Sequence, residues 1–253
     1  MSCVIYLDSI EKKEALNKIS EYLHFEIVNK VPVKGAFLDI KDNGLCFTLN
    51  SEDPSNYLNI DFLSGSMGWR LKRADHERLL KKTLGKNIDT LKIFDGTAGF
   101  LSDAMIFLAQ GHKIIACEQS KIVYLLVKDA LARAIGKIPY LQNLEFLNDN
   151  SIDAFKKLNN IDLVYLDPMY PETKKKALGS GNINLIKNIL EIEKIENKGD
   201  LLFHDFKKLN YKKIVLKRPI KANKIDLNIN YQVKGKSTSC LLYTSDAADE
   251  TCR

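Results

Sequence analysis

No stretch of this sequence approaches the roughly 18 consecutive apolar residues that a membrane-spanning helix needs. Met1 to Ile10 also lacks a basic segment followed by an apolar one. Neither a span nor a secretory leader is expected, and the cytoplasm is the expected location. Cysteine is sparse: Cys3, Cys46, Cys117, Cys240 and Cys252 lie far apart, with no CxxC pair and no histidine at metal-ligand spacing. The cysteines therefore read as free thiols, and neither a disulfide framework nor a bound metal is expected to organise the chain. Internal repeats and long low-complexity tracts are missing as well, which sets aside repeat architectures.

What is present is an ordinary globular composition. With 45% hydrophobic residues over 253 positions, the chain can bury one sizeable core and a small second domain beside it. The net charge is +6 and the pI near 8.9, which leans towards an anionic partner such as nucleic acid. Lysine, isoleucine and asparagine are all abundant, so an AT-rich coding bias accounts for the charge equally well, and charge alone leaves the partner open.

Residues 11 to 23 place Leu16, Ile19 and Leu23 at helical spacing among charged residues, which predicts one amphipathic helix. Short β-forming runs follow at 25–28, 36–40, 45–49 and 58–63, separated by turn residues such as Lys41-Asp42-Asn43-Gly44. Together they predict a small N-terminal α+β subdomain over residues 1–68, ending at the break Gly65-Ser66-Met67-Gly68. Beyond it, short apolar runs at 91–94, 113–117, 144–147, 162–166, 201–204 and 213–216 read as strands. Helical patterns at 75–84, 102–109, 121–134, 152–158 and 183–195 alternate with them. The alternation predicts an α/β domain over 69–239, a parallel sheet with helices on both faces.

Three stretches carry chemistry. Ile93-Phe94-Asp95-Gly96-Thr97-Ala98-Gly99-Phe100 is an apolar strand that ends in an acid and a glycine turn opening a helix. Such a turn lets the backbone approach a ligand and leaves helix N-terminal amides free to donate, although a purely structural turn would look the same. Glu118 closes the next strand, where an acid accepts hydrogen bonds from ribose hydroxyls. Taken singly, a solvated strand-end glutamate explains it as well; the distance from the glycine turn favours the ligand. The third stretch, Leu163 to Pro171, is a buried-looking strand that stops at Asp167-Pro168-Met169-Tyr170-Pro171. Its prolines stiffen the turn and hold Asp167 and Tyr170 at the carboxyl end of the sheet, where ligands bind in such folds. It resembles the Asp/Asn-Pro-Pro-aromatic motif of methyltransferases that act on exocyclic amines, with Met169 in place of the second proline.

Asp95 to Gly99, Asp103-Ala104, Glu118, Tyr165 to Pro171 with Lys174 to Leu178, and Asp61 to Met67 followed by Arg70 and Glu77 resemble the ribosomal RNA small subunit methyltransferase J family. The resemblance runs from about Leu58 to Ser239 and implies a Rossmann-like class I methyltransferase sheet. It further implies S-adenosylmethionine as methyl donor, a guanine N2 of 16S ribosomal RNA as acceptor, and the RNA or the small ribosomal subunit as partner. Carried over by position, the cofactor contacts are Asp95, Gly96, Gly99, Ser102, Asp103, Glu118, Gln119, Asn150, Ser151 and Asp167. The chain departs from the family at Gly96 (usually alanine), Leu101 (usually glycine) and Ser102 (usually arginine or lysine). Asp167 is expected to orient the amine and Tyr170 to stack on the target base. Arg70, Lys72, Arg73, Lys174, Lys175 and Lys176 are candidates for RNA phosphates, or else a plain solvated face.

Other readings remain open. A nicotinamide oxidoreductase shares the glycine turn and the acid but has no use for Asp-Pro-Met-Tyr. An amino-methyltransferase of another RNA or of DNA keeps every feature, and a non-catalytic RNA-binding module keeps only the basic groups. His76, His112 and His204 are not expected to act as bases. Residues 240–253 resemble the translation of a sequencing adapter and are set aside from the fold as a non-native tail. Leu241 to Tyr243 could still pair with a sheet, and Asp246 to Glu250 is expected to be disordered.

Overall fold

The computed structural model describes residues 3–85, 89–169, 181–196, 199–222 and 229–245, with the backbone alone at 181–183. The chain forms two compact units. In the first, strands β1 (Cys3–Tyr6), β2 (Ile27–Val28), β3 (Ala36–Lys41), β4 (Gly44–Thr48) and β5 (Tyr57–Leu58) make one sheet in the order β2-β1-β3-β4-β5. β1 is parallel to β2 and β3, whereas β3, β4 and β5 form antiparallel hairpins. Helix α1 (Lys13–Leu23) buries Leu16 and Leu23 and keeps its charged residues outside, as its apolar spacing requires.

The remaining elements in chain order are α2 (Gly65–Lys72), α3 (Arg78–Leu84), β6 (Lys92–Asp95), α4 (Ala104–Ala109), β7 (Lys113–Glu118) and α5 (Lys121–Ala134). Then come β8 (Leu144–Asn148), α6 (Ser151–Lys156), β9 (Leu163–Leu166), α7 (Gly181–Ile192), α8 (Asp200–Lys207), β10 (Lys213–Pro219), β11 (Tyr231–Lys234) and β12 (Thr238–Thr244). α5 and α7 belong to the first unit, so the division by packing is not a single cut near residue 68. Within that unit Asp129 of α5 accepts the Leu45 amide at 3.1 Å, and Arg133 donates to the Ile60 carbonyl at 2.5 Å.

The second unit is built on a seven-stranded sheet in the order β11-β12-β10-β9-β6-β7-β8. The strands from β10 to β8 run parallel, and β12 returns antiparallel between β10 and β11. The fold class is therefore the Rossmann-like α/β sheet that the alternation predicts. β6 and β9 are neighbours although β7 and β8 intervene in sequence, so the strand order reverses between them, the position where open α/β sheets bind ligands. β9 is buried along its whole length, which explains why Leu163-Val164-Tyr165-Leu166 is uniformly apolar rather than alternating. Its side chains still point to opposite faces by turns. Val164 and Leu166 join Phe94, Phe155, Phe203 and Phe206 in the core beneath α6 and α8, and Tyr165 meets Phe107 of α4 edge-on at 5.1 Å.

One local reading is corrected. Residues 201–204 are not a strand but part of α8, because Phe203 and Phe206 are fully buried at helical spacing while Leu201 is exposed. Gly65 to Gly68, where the sequence pattern changes, holds the first boundary between the two units and forms the first turn of α2: Gly65, at φ +59, begins the helix and Gly68 is buried in it. Of the C-terminal residues set aside, Cys240 to Thr244 lie in β12, with Cys240, Leu241 and Tyr243 buried. Asp246 to Glu250 fall outside the described residues. No helix among the described residues is long and apolar enough to cross a membrane.

Candidate active site

Four neighbouring strands of the second unit deliver polar residues to their carboxyl ends. β6 ends at Asp95, β7 at Glu118, β9 runs straight into Asp167, and β10 carries Lys217. Register sets them side by side. Leu216 lies opposite Leu166, so Lys217 and Asp167 are the next pair, while Asp95 lies opposite both Tyr165 and Ala116.

The turn after β6 is held from three directions. Asp95 Oδ1 accepts the Thr97 amide at 2.9 Å and the Thr97 hydroxyl at 3.3 Å, and that hydroxyl accepts the Asp167 amide at 2.7 Å. The Gly96 amide donates to the Tyr165 carbonyl at 3.1 Å and the Ala98 amide to the Cys117 carbonyl at 3.2 Å. The Gly99 amide donates to Glu118 Oε2 at 2.9 Å. The two glycines serve different ends. A Cβ on Gly96 would stand 3.0 Å from Leu166 and 3.2 Å from Phe206, so this glycine lets the turn sit down on the core. Gly99 is at φ +49, the left-handed region, where a Cβ would meet the Thr97 carbonyl oxygen at an ordinary 3.9 Å, so conformation rather than space calls for glycine. Leu101 is left-handed too, at φ +58, and fully buried. This explains the family glycine at that position: the leucine accepts a backbone cost of about 1 to 2 kcal/mol in return for apolar burial.

A ladder of alternating charge crosses the floor of the site. Arg70 of α2 grips Glu77 at 2.5 and 3.2 Å, donates to Asp103 Oδ1 at 2.7 Å, and reaches the Ser102 carbonyl at 2.9 Å. Asp103 Oδ2 accepts the Tyr165 hydroxyl and the Lys217 ammonium, both at 2.6 Å. Lys217 also donates to Asp167 Oδ2 at 2.8 Å. Asp103 stands just before α4 without capping it, because its carboxylate turns into this ladder.

Burial and partners divide the acids. Asp95 is fully buried with no cation against it among the described residues, so desolvation, reinforced by the nearby Asp103 and Asp167 carboxylates, pushes its pKa up to about 7. Burial would raise Asp103 as well, but Lys217 and Arg70 outweigh it and hold the group down at about 2. Desolvation raises Asp167 against the pull of Lys217. Burial works against the charge on Lys217, yet Asp103 and Asp167 keep its ammonium above the ordinary lysine range.

The chain matches the SAM_MT family model, of SAM-dependent methyltransferases, over residues 23–245. It is 30% identical over 192 residues to the ribosomal RNA small subunit methyltransferase J of Alcanivorax borkumensis, covering 74% of this chain and 75% of the relative. Identity to the protein of that name from Shewanella loihica is 30% over 222 residues, 83% of each chain. The chain belongs to the methyltransferase J family. At the level of fold, a SAM-dependent methyltransferase of Neisseria gonorrhoeae superposes with a TM-score of 0.67 at 21% identity, covering 100% of this chain and 99% of that one.

Methyltransferases of this family use S-adenosylmethionine, and the donor set here suits it. The ligand carries a cationic sulfonium and an ammonium, and Asp95, Asp103, Glu118 and Asp167 are four acids gathered around one glycine turn. Ser102 and Gln119 are exposed beside it. The Asn150 side chain is spent on α6, whose Ile152 amide it caps at 3.0 Å, and Ser151 is buried in the first turn. Asn148 donates to the Glu118 carbonyl at 2.7 Å and steadies that strand end. Arg70, read as a phosphate ligand, is engaged by protein acceptors at Nε and both terminal nitrogens, while Lys72 and Arg73 are exposed. Tyr170, Lys174, Lys175 and Lys176 lie outside the described residues. His112 is buried and accepts the Leu91 amide at 3.2 Å; His76 and His204 are exposed.

Sequence reasoning missed Lys217, the Tyr165 hydroxyl and Thr97. A signal for the first was available: Lys217-Arg218-Pro219 closes the apolar run Ile214-Val215-Leu216, and a cation there needs an anionic partner.

Proposed function

We propose that this protein transfers the methyl group of S-adenosylmethionine to the exocyclic N2 of a guanine in 16S ribosomal RNA. The observation that carries the reading is Asp167. It leaves the central parallel strand β9 next to the acid-lined turn, its amide is held by Thr97, and one carboxylate oxygen is held by Lys217. Pro168 follows it, as in enzymes that methylate exocyclic amines, with Met169 in place of their second proline. Relatives named ribosomal RNA small subunit methyltransferase J supply the substrate class.

S-adenosylmethionine supplies an electrophilic methyl group on a sulfonium. The acids of this chain bind and orient: Glu118 suits ribose hydroxyls, and Asp95 and Asp103 stabilise positive charge near the turn. The N2 lone pair of guanine is delocalised into the ring, so the amine attacks only if its geometry changes. The Asp167 carboxylate accepts an N–H of that amine and favours a pyramidal nitrogen aimed at the methyl group. The proton of the alkylated amine passes to solvent, and no histidine base is required. Tyr170 stacks on the extruded base, worth about 1 to 3 kcal/mol, which offsets part of the unstacking cost. At the end of α2, exposed Lys72 and the following Arg73 suit RNA phosphates, and Arg73 lies 5.0 Å over the ring of Trp69, itself 63% exposed.

The test is mass spectrometry of 16S ribosomal RNA from cells with and without the gene. A guanine that loses one N2-methyl in the deletion and regains it on complementation supports the reading. An unchanged 16S modification pattern, or a missing methyl on another base or another RNA, overturns it.

A further inference from the structure

Among the described residues around Asp167, Lys217 is the one that touches both it and the buried Asp103. Its ammonium lies 2.6 Å from Asp103 Oδ2 and 2.8 Å from Asp167 Oδ2. The two acids come from different elements, the start of α4 and the end of β9, so without the lysine they would present like charges across a small gap. The full ladder is Glu77, Arg70, Asp103, Lys217, Asp167, alternating in sign throughout. Asp103 is the most buried member, its side chain 8% exposed; from there exposure rises through Lys217 at 19% to Asp167 at 37%, while Arg70 and Glu77 at the other end are 26% and 27% exposed. The most accessible member is thus the one placed to meet substrate.

We infer that Lys217 is a positioning residue for methyl transfer: it pins the Asp167 carboxylate in one orientation, keeps it ionised, and ties it to Asp103. The inference rests on the reading of Asp167 as the group that orients the amine. An ammonium shared by two carboxylates removes most of the rotational freedom of a short acid, and positioning of this kind is where an in-line displacement gains its rate. It also sets a charge state. Asp167 is surrounded by Asp103 and Asp95, the hydroxyl of Tyr165 and the thiol of Cys240 on β12. Among the described residues, Lys217 and, farther back, Arg70 paired with Glu77 are the cations that face this group. Asp167 accepts an amine N–H only as a carboxylate, so activity falls as pH drops through its pKa. Removing Lys217 moves that fall to higher pH.

The experiment compares the full chain with Lys217→Met, Lys217→Arg, Asp167→Ala and the Lys217→Met/Asp167→Ala double variant. Substrates are tritiated S-adenosylmethionine and small subunits from the deletion strain; cofactor affinity is read by calorimetry and folding by near-UV circular dichroism. Lys217→Met should lose kcat about 100-fold with cofactor affinity changed far less, and the acid limb of its kcat profile should move up by about one pH unit. The double variant should be no slower than Asp167→Ala alone, within about threefold, because the lysine acts through the aspartate. Lys217→Arg keeps the cation, and so the position of the limb, but places its nitrogens differently and should lower kcat. Should Lys217→Met fail to fold, the arginine variant decides: parent kcat in a folded Lys217→Arg chain overturns the inference. So does a folded Lys217→Met chain with parent kcat and acid limb, or a double variant in which the two losses multiply. Parent activity in Asp167→Ala removes the underlying reading of Asp167 instead, and is seen in a different variant.

Discussion

Asp95 and Asp103 are both buried, yet they end with opposite proton affinities because, among the described residues, Asp103 has cations against it and Asp95 does not. The consequence for stability is a matter of sign. The folded pKa of Asp95 is raised to about 7, so its ionisation costs nothing below about pH 4, where both states are protonated, and the cost accrues up to about pH 7. Asp95→Asn keeps an oxygen to accept from Thr97 and avoids that cost. Its stability relative to the parent in denaturant unfolding should therefore rise between pH 4 and pH 8, by on the order of a few kcal/mol; a difference independent of pH would refute the assignment. Asp103, depressed to about 2, behaves the other way: its contribution is full above about pH 4 and is lost as pH falls towards 2. For Glu118→Ala, one charge-assisted hydrogen bond of roughly 1.5 to 3 kcal/mol predicts a 10- to 100-fold weaker cofactor dissociation constant. An unchanged constant in calorimetry would remove Glu118 from the site. Asp167→Ala should keep its fold and lose methyl transfer by about 100-fold or more in single-turnover assays, and a rate within twofold of the parent would contradict its role.

Elements were legible where period and punctuation agreed. β6, β7 and β9 follow from short apolar runs closed by Asp95, Glu118 and Asp167, and α1 from the spacing of Leu16, Ile19 and Leu23. α8 was misread because Leu-Leu-Phe-His taken alone has no period; Phe206 completes the helical face two residues later. β11 and β12 depend on pairing: Val233 opposes Cys240, and Tyr243 opposes Ile214. In β12 the ring of Tyr243 is buried 4.5 Å from that of Phe203, while its hydroxyl is buried with no hydrogen-bond partner among the described residues. The ring should therefore carry the stability and the hydroxyl should cost some. Tyr243→Ala is expected to lose about 3 to 5 kcal/mol, whereas Tyr243→Phe should equal or exceed the parent in thermal unfolding. A Phe variant clearly less stable than the parent would show that the hydroxyl is satisfied.

At the scale of the whole molecule, a net charge of +6 bears on association with RNA rather than on the fold. If Lys72 and Arg73 meet phosphates, affinity for deletion-strain small subunits should fall steeply with salt. The Lys72→Glu/Arg73→Glu variant should bind them more weakly, with a shallower salt slope and an unaltered cofactor constant. Filter binding at several salt concentrations checks both, and an unchanged slope would make this face merely solvated.

By itself the sequence determined the parallel α/β sheet, the turn after Asp95 and the strand-end acids, because each is written in a short contiguous stretch. Period, glycine and a terminal carboxylate need no knowledge of the rest of the chain. It did not determine what those acids meet. That Lys217 bridges Asp103 and Asp167, that Arg70 is turned inward to Glu77 and Asp103, and that Asp95 meets no cation among the described residues were decided by tertiary structure. The reason is physical: an ion pair is a contact across a few ångströms between residues up to 114 positions apart, and only strand order and register say which charges come within reach.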